Sequence, residues 1–189
     1  MYKLGLVSVL FSLTIFLSCS NSTDSDESEE SAVASSTFTV TGDLEAKQEG
    51  IAYFTELNND GNLVRVSIHL VETHPQDRDE NTESDYSLIL VADMSGEPFT
   101  LSTGTYEIGK LSDEELNFTA VYTHRISGSQ VNGYNTEDQS GTITITSVSD
   151  NWIEATFSFA AINYDDGHGE DEHISISGEF NAECFGFSC

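Results

Sequence analysis

The densest group of metal-ligating side chains in this sequence is DDGHGEDEH, residues 165–173. Asp165, Asp166, Glu170, Asp171 and Glu172 offer hard oxygen ligands of the kind Ca2+ takes, and Gly167 and Gly169 would let the chain curl around an ion. His168 and His173 add imidazole nitrogens suited to zinc or a similar metal. The D-x-[DN]-x-[DN]-G spacing of an EF-hand is missing. Calcium is therefore the one cofactor this stretch suggests, and a solvated acidic hairpin loop is the plain alternative. A second stretch, ETHPQDRDENTESD, residues 72–85, carries six carboxylates and reads as another loop.

Paired carboxylates are also the machinery of glycosidases. Among 33 acidic residues some pair meets the required spacing by chance, so acidity alone is no evidence for catalysis. No G-x-S-x-G elbow, H-E-x-x-H helix or glycine-rich phosphate loop occurs. His69, His74 and His124 have no recognisable Ser or Cys partner, and His69 and His124 read as strand residues. The expectation is a protein without catalytic activity. Glycan binding would need an aromatic platform, for which Trp152, Tyr134 and Tyr164, all near strand ends or loops, are the candidates. Packing at strand edges is their alternative role.

Six basic residues against 33 acidic ones give a net charge of −27. Such a surface repels phosphate, which sets nucleic acid aside as a partner. The same excess favours solubility and opposes close approach to anionic membranes.

The chain opens MYKLGLVSVLFSLTIFLSC. Leu4 to Leu17 is a run of 14 uncharged residues after Lys3. That is short of the roughly 20 a spanning helix needs and suits the apolar core of a secretory signal. Phe16-Leu17-Ser18-Cys19 resembles the lipobox of bacterial lipoproteins, with Phe where Leu is commonest, in the relaxed form seen in the Bacteroidota. The resemblance implies cleavage after residue 18 and lipidation of Cys19, with the lipid bilayer as partner through the acylated N-terminus. Acyl chains contribute about 0.8 kcal/mol per buried CH2, and more than one chain anchors stably. Ser20 to Ser36 is rich in Ser, Asp and Glu and too poor in apolar residues to offset its ordering entropy. It reads as a disordered tether over 19–36. An acidic run in this place also resembles the surface-export signal of Bacteroidota lipoproteins, and a spacer without a sorting role is the alternative.

With Cys19 acylated, Cys184 and Cys189 remain. In an oxidising compartment this even pair suggests a disulfide, one that pins the C-terminus more than it stabilises the fold, because the loop is short.

A single domain is expected over 37–189. VRVSIHLV sets Val64, Val66, Ile68 and Leu70 on one face, and similar alternation recurs in LNFTAVYTHRI and near the C-terminus, the mark of half-buried strands. About nine strands are expected, near 37–43, 50–57, 63–72, 85–93, 104–108, 116–126, 139–148, 152–164 and 173–183. Asn58-Asn59-Asp60-Gly61 and Asn132-Gly133 read as hairpin turns. A parity change near Ala160-Ala161 suggests a β-bulge, and Ser112 to Glu115 has capping-box spacing for a helical turn. The expected fold is all-β, a nine-stranded antiparallel β-sandwich or, alternatively, a closed or flattened barrel. GTITITSVSDNWIEATFSFAA followed by ISISGEFNAEC also resembles the C-terminal part of small β-rich lipoproteins of the Bacteroidota, through Gly141, Phe157, Phe159, Gly178 and Phe180. That likeness implies fold and location and carries over no catalytic residue.

Together these readings point to an exported, lipid-anchored cell-envelope protein with a binding or structural role, at the outer membrane facing the medium or on its periplasmic side. A carbohydrate-binding module for nutrient capture and a Ca2+-stabilised adhesion-type domain are the alternatives, with a glycan or a protein as the surface partner.

Overall fold

Apolar and polar side chains alternate through most of the body, and those segments form strands. The computed structural model describes residues 33–77, 84–94, 96–111, 115–127, 130–137, 140–163 and 171–186. Ten strands run in chain order: β1 Ser35–Gly42, β2 Ala46–Asn59, β3 Asn62–Val71, β4 Tyr86–Asp93, β5 Gly104–Ile108, β6 Asn117–Ser127, β7 Gln130–Asn135, β8 Gly141–Val148, β9 Trp152–Asn163 and β10 Glu172–Cys184. Among the described residues the one helical turn is Pro75–Asp77. The turn expected at Ser112–Glu115 falls mostly outside them, and Glu115 itself is not helical.

The fold is all-β. Strand pairings lead from β1 through β2, β3, β4, β6, β5, β8, β9 and β10 back to β1, while β7 joins β6 to β9. The ring is thin where β5 meets β6 through Ile108 and Phe118 alone, and where β7 meets β9 through Asn135 and Ile162 alone. A β-sandwich or a flattened barrel fits this pattern. The sheet is mixed rather than purely antiparallel. β10 outruns β1, and beyond Ser35 its last residues, Glu183 and Cys184, pair in parallel with Tyr53 and Phe54 of β2.

Inward positions are apolar almost throughout. Ile68, Leu70, Leu88, Leu90, Ile108, Ile143 and Ile145 are fully buried, each burial contributing about 1.5–3 kcal/mol. Phe38 sits among them with its ring edge-on to Tyr86 and Tyr122, centroids 5.4 and 6.0 Å away. The outer positions of β1 and β10, Thr37, Thr39, Ser175, Ser177 and Glu179, are exposed. Polar outside and apolar inside is the reverse of a membrane-spanning barrel. No helix among the described residues is long and apolar enough to cross a membrane.

The hairpin between β2 and β3 turns on Asp60 and Gly61, at φ 50° and 80°. Positive φ at both central residues marks a type I′ turn, whose twist matches the flanking strands. Asn132-Gly133 is not a turn: it lies inside β7, where Gly133 pairs with Thr123 and Asn132 with His124. The register of β9 with β10 runs unbroken from Trp152 to Asn163, so there is no bulge at Ala160-Ala161. The parity change there arises because Ile162 is half covered on the outer face, beside Asn135 of β7. Bulges occur instead between Leu57 and Asn58, Arg125 and Ser127, and Ile145 and Ser147. Residues Ala32–Cys189 group as one compact unit, and β1 begins two residues before the expected domain start at 37. Ser36, expected in the tether, is instead buried, pairing with Phe180 and Gly50. Ladder hydrogen bonds on both sides hold it there despite its polar side chain.

Candidate functional site

A cavity lies at the end of the body formed by the β2–β3 hairpin, residues 98–101, and the turn between β8 and β9. These segments are remote in sequence, and each is held differently. The hairpin is fixed by its type I′ turn. The segment after β4 is tied back by Asp93, a buried carboxylate whose Oδ2 accepts from Arg65 Nε at 2.7 Å and Nη2 at 2.6 Å. Its Oδ1 accepts from the Gly96 backbone N–H at 3.0 Å. Further along, the Phe99 N–H donates to the Leu63 carbonyl at 2.9 Å, so the loop lies against β3. The β8–β9 turn is closed by the Ser149 N–H donating to the Trp152 carbonyl at 2.9 Å.

The resulting groove has a volume of about 680 Å3, within the roughly 300–1,000 Å3 of small-molecule sites. Phe54, Leu63, Phe99 and Ile153 are among its apolar lining residues, and Glu56, Asn62, Thr100, Ser149 and Asp150 are its polar ones. Glu56 follows Ala52 and Phe54 on the inward face of β2 and lies opposite buried Val66. It is a carboxylate at a position where the alternation calls for an apolar residue. Among the described residues neither Glu56 nor Asp150 makes a side-chain hydrogen bond or ion pair, and no Lys, Arg or His lines the groove.

The opposite end is closed by a polar network. Glu172 Oε2 accepts from the Tyr134 hydroxyl at 2.7 Å, from Asn132 Nδ2 at 3.3 Å and from Asn163 Nδ2 at 3.4 Å. Burial, reinforced by the bond to Glu172, pushes the Tyr134 hydroxyl up to about 12. Burial likewise raises Tyr122, whose hydroxyl lies 3.5 Å from Gln48 Nε2 and 3.4 Å from His124 Nδ1. Tyr86 is pushed up to about 12 by burial; the Ser36 hydroxyl opposes that shift without reaching hydrogen-bond geometry. On the outer face of β2 and β3, Tyr53 stacks on His69 at 4.7 Å, and burial lowers the His69 imidazole. His74 and Phe185 pack edge-on against Tyr53.

This geometry revises the sequence expectations. Asp165, Asp166, His168 and Glu170 lie outside the described residues. Glu172 and His173 belong to β10 rather than to a loop, and successive strand residues point to opposite faces. Glu172 turns inward onto three donors, whereas His173 is exposed and its backbone N–H donates to Asp43 Oδ2 at 2.7 Å. The two cannot converge on one ion, and exposed Asp171 meets neither. Among the described residues no three His, Cys, Asp or Glu side chains are grouped to hold a metal. Tyr134 is buried and packs on Tyr122, so it offers no stacking face. Trp152 is half-buried at the far end of β9 from Asn163, roughly 36 Å away at 3.3 Å per residue. The two aromatics form no row, and Tyr164 lies outside the described residues. Cys184 is disulfide-bonded, while Cys189, like Cys19, lies outside them.

Comparison with known proteins finds no matching family, curated protein or solved structure. The class of protein is thus set by fold and geometry alone: an all-β domain with an acidic groove of mixed polar and apolar lining at one end and a hydrogen-bonded network around Glu172 toward the other.

Proposed function

We propose that this is an exported, lipid-anchored protein that acts by binding, without catalysis, at the cell surface, and that the groove at the β2–β3 end takes the ligand. The observation that carries the binding half is the meeting of apolar side chains with two carboxylates, unpartnered among the described residues, in a cavity of ligand size. The change of character at Cys19 supports the anchor, and the acidic tract behind it supports a spacer holding the domain clear of the membrane. The outer membrane, facing the medium, is the proposed location, and a Cys184–Cys189 bridge is the proposed fastening of the C-terminus.

A Cys19→Ala variant tests the anchor. Loss of labelled fatty acid and of membrane fractionation is expected; retention of both sinks it. Protease treatment of intact cells separates surface display, where the domain is cut, from a periplasmic location, where it is protected. Intact mass after alkylation without reductant tests the bridge, which fails if Cys184 and Cys189 are both modified. The calcium-stabilised reading rests on the acidic stretch 165–173 and is tested by calorimetric titration of the metal-free protein, with absence of heat counting against it.

A further inference from the structure

Resting on the reading that the groove is the binding surface, we infer that its ligand is a small organic cation, an ammonium or amidinium group carried on an apolar body. Three observations converge on this chemistry. Glu56 points inward at the mouth, on the same face of β2 as buried Phe54, and has no ion pair or hydrogen bond among the described residues. Glu56 is half-buried, and a carboxylate only partly hydrated attracts a cation more strongly than one standing free in water. Asp150, exposed on the β8–β9 turn, brings a second carboxylate without a partner among the described residues to the same cavity. Phe99 is the third element. Its ring stands in the groove wall, on a loop held by the Phe99–Leu63 backbone bond and by Asp93. A cation over an aromatic face is attracted by the ring's quadrupole, and a ring on a pinned loop is already in place to supply that attraction.

Other ligand charges fit less well. An anion would meet two carboxylates, no basic lining residue and a chain of net charge −27. A fully hydroxylated ligand could donate to Glu56, but it would bring no positive charge to the two carboxylates and would leave Leu63 against polar groups. An apolar body bearing one positive head satisfies both, and the field of the acidic surface would draw it in.

The test uses the full mature chain and three probes with one aromatic body and different heads: phenethylammonium, phenethyl alcohol and 3-phenylpropionate. Binding is measured by calorimetry and located by amide chemical shifts. Phenethylammonium is expected to bind and to shift residues 56–63, 97–101 and 148–153, with affinity falling as salt is added. Glu56→Gln and Asp150→Asn should each weaken it by up to about five-fold, the scale of a partly exposed charge pair, with Tm unchanged. Phe99→Leu should weaken the cation more than the alcohol. If all three probes shift the groove equally, or if the amide variants bind the cation as wild type does, the cation inference is overturned while the groove stands as a binding site. If no probe shifts the groove, both readings fall.

Discussion

The groove depends on the pair Arg65–Asp93, and unequal consequences should follow from removing its two halves. Asp93 is 3 % exposed, whereas the Arg65 side chain is 49 % exposed. In Asp93→Ala, the carboxylate and its bonds to Arg65 and Gly96 go together. Hydrogen bonds to charged groups contribute about 1.5–3 kcal/mol, but Arg65 lies near water and regains hydration, so the net cost is about 2–3 kcal/mol. In Arg65→Met, the carboxylate stays behind in its buried place with one backbone donor. Breaking a buried pair from this side costs roughly 3–5 kcal/mol, and the exposure of Arg65 puts the value near the lower end. The variant lacking the exposed partner is therefore the less stable of the two. For a body of this size, a loss of about 3 kcal/mol lowers Tm by roughly 6–12 °C. Urea unfolding followed by the fluorescence of Trp152, the one tryptophan in the chain, reads both variants with an unchanged m-value. The double variant should cost less than the sum, since both single changes remove one interaction. Should Arg65→Met lie within about 0.5 kcal/mol of wild type, the range of ordinary surface changes, the pair is not what pins the loop and the account of the groove wall is wrong.

Three further outcomes are expected. A Cβ at Gly141 would overlap the Ser158 carbonyl and Phe159, whereas one at Gly133 would meet nothing within 4 Å; Gly141→Ala should cost about 1–3 kcal/mol and Gly133→Ala essentially nothing, and equal denaturation midpoints would refute the close approach of β8 and β9. Tyr134→Phe should cost about 1.5–3 kcal/mol by removing a bond to a charged acceptor, measured by chemical denaturation, and a neutral result would mean that Glu172 is not held by the polar network. Tyr86 and Tyr134 are each raised from 10 to about 12, so the folded state keeps protons that the unfolded chain has released. Their contribution is intact below pH 10 and is lost as the pH rises from 10 through 12. Tyrosinate absorbance and unfolding should advance together across that window, and ionisation of all seven tyrosines near pH 10 with the fold intact would contradict their burial.

Strands with one apolar face were readable because a period of two is a local property. β3 alternates from Val64 to Leu70, and Asp60-Gly61 supplies the one backbone geometry that turns the chain there, so the β2–β3 hairpin could be drawn from sequence. β7 could not. QVNGYN is short and polar, its Asn-Gly pair carries a turn signature, and it is a strand because β6 lies beside it. Ile162 misled for a related reason: outward apolar residues look like a change of register unless the neighbour that covers them is known. The ring closure was equally hidden, since the single contacts of Ile108 with Phe118 and Asn135 with Ile162 join residues whose local sequence says nothing of each other. Phe99 falls between the expected strands 85–93 and 104–108, and only the bond to Leu63 places it beside β3.

Glu56 and Glu172 show why an acidic sequence conceals its own site. Both are carboxylates on the inward face of a strand, near the strand's end, and both interrupt an apolar alternation. At Glu172 three donors arrive from β7 and β9, so the carboxylate is absorbed into the structure. At Glu56 no donor arrives, and the space beside it is open groove. The difference is made entirely by residues distant in sequence: Asn132, Tyr134 and Asn163 in one case, Phe99 and Asp150 in the other. Counting metal-ligating side chains led to the segment 165–173, where carboxylates and histidines together are densest. The physically informative acid is instead the isolated one, because an inward carboxylate without a donor has lost water on one side and gained no partner in exchange. A sequence signal for it existed in the parity of Ala52, Phe54 and Glu56; what the sequence lacked was the means to tell an unpaired inward acid from a satisfied one.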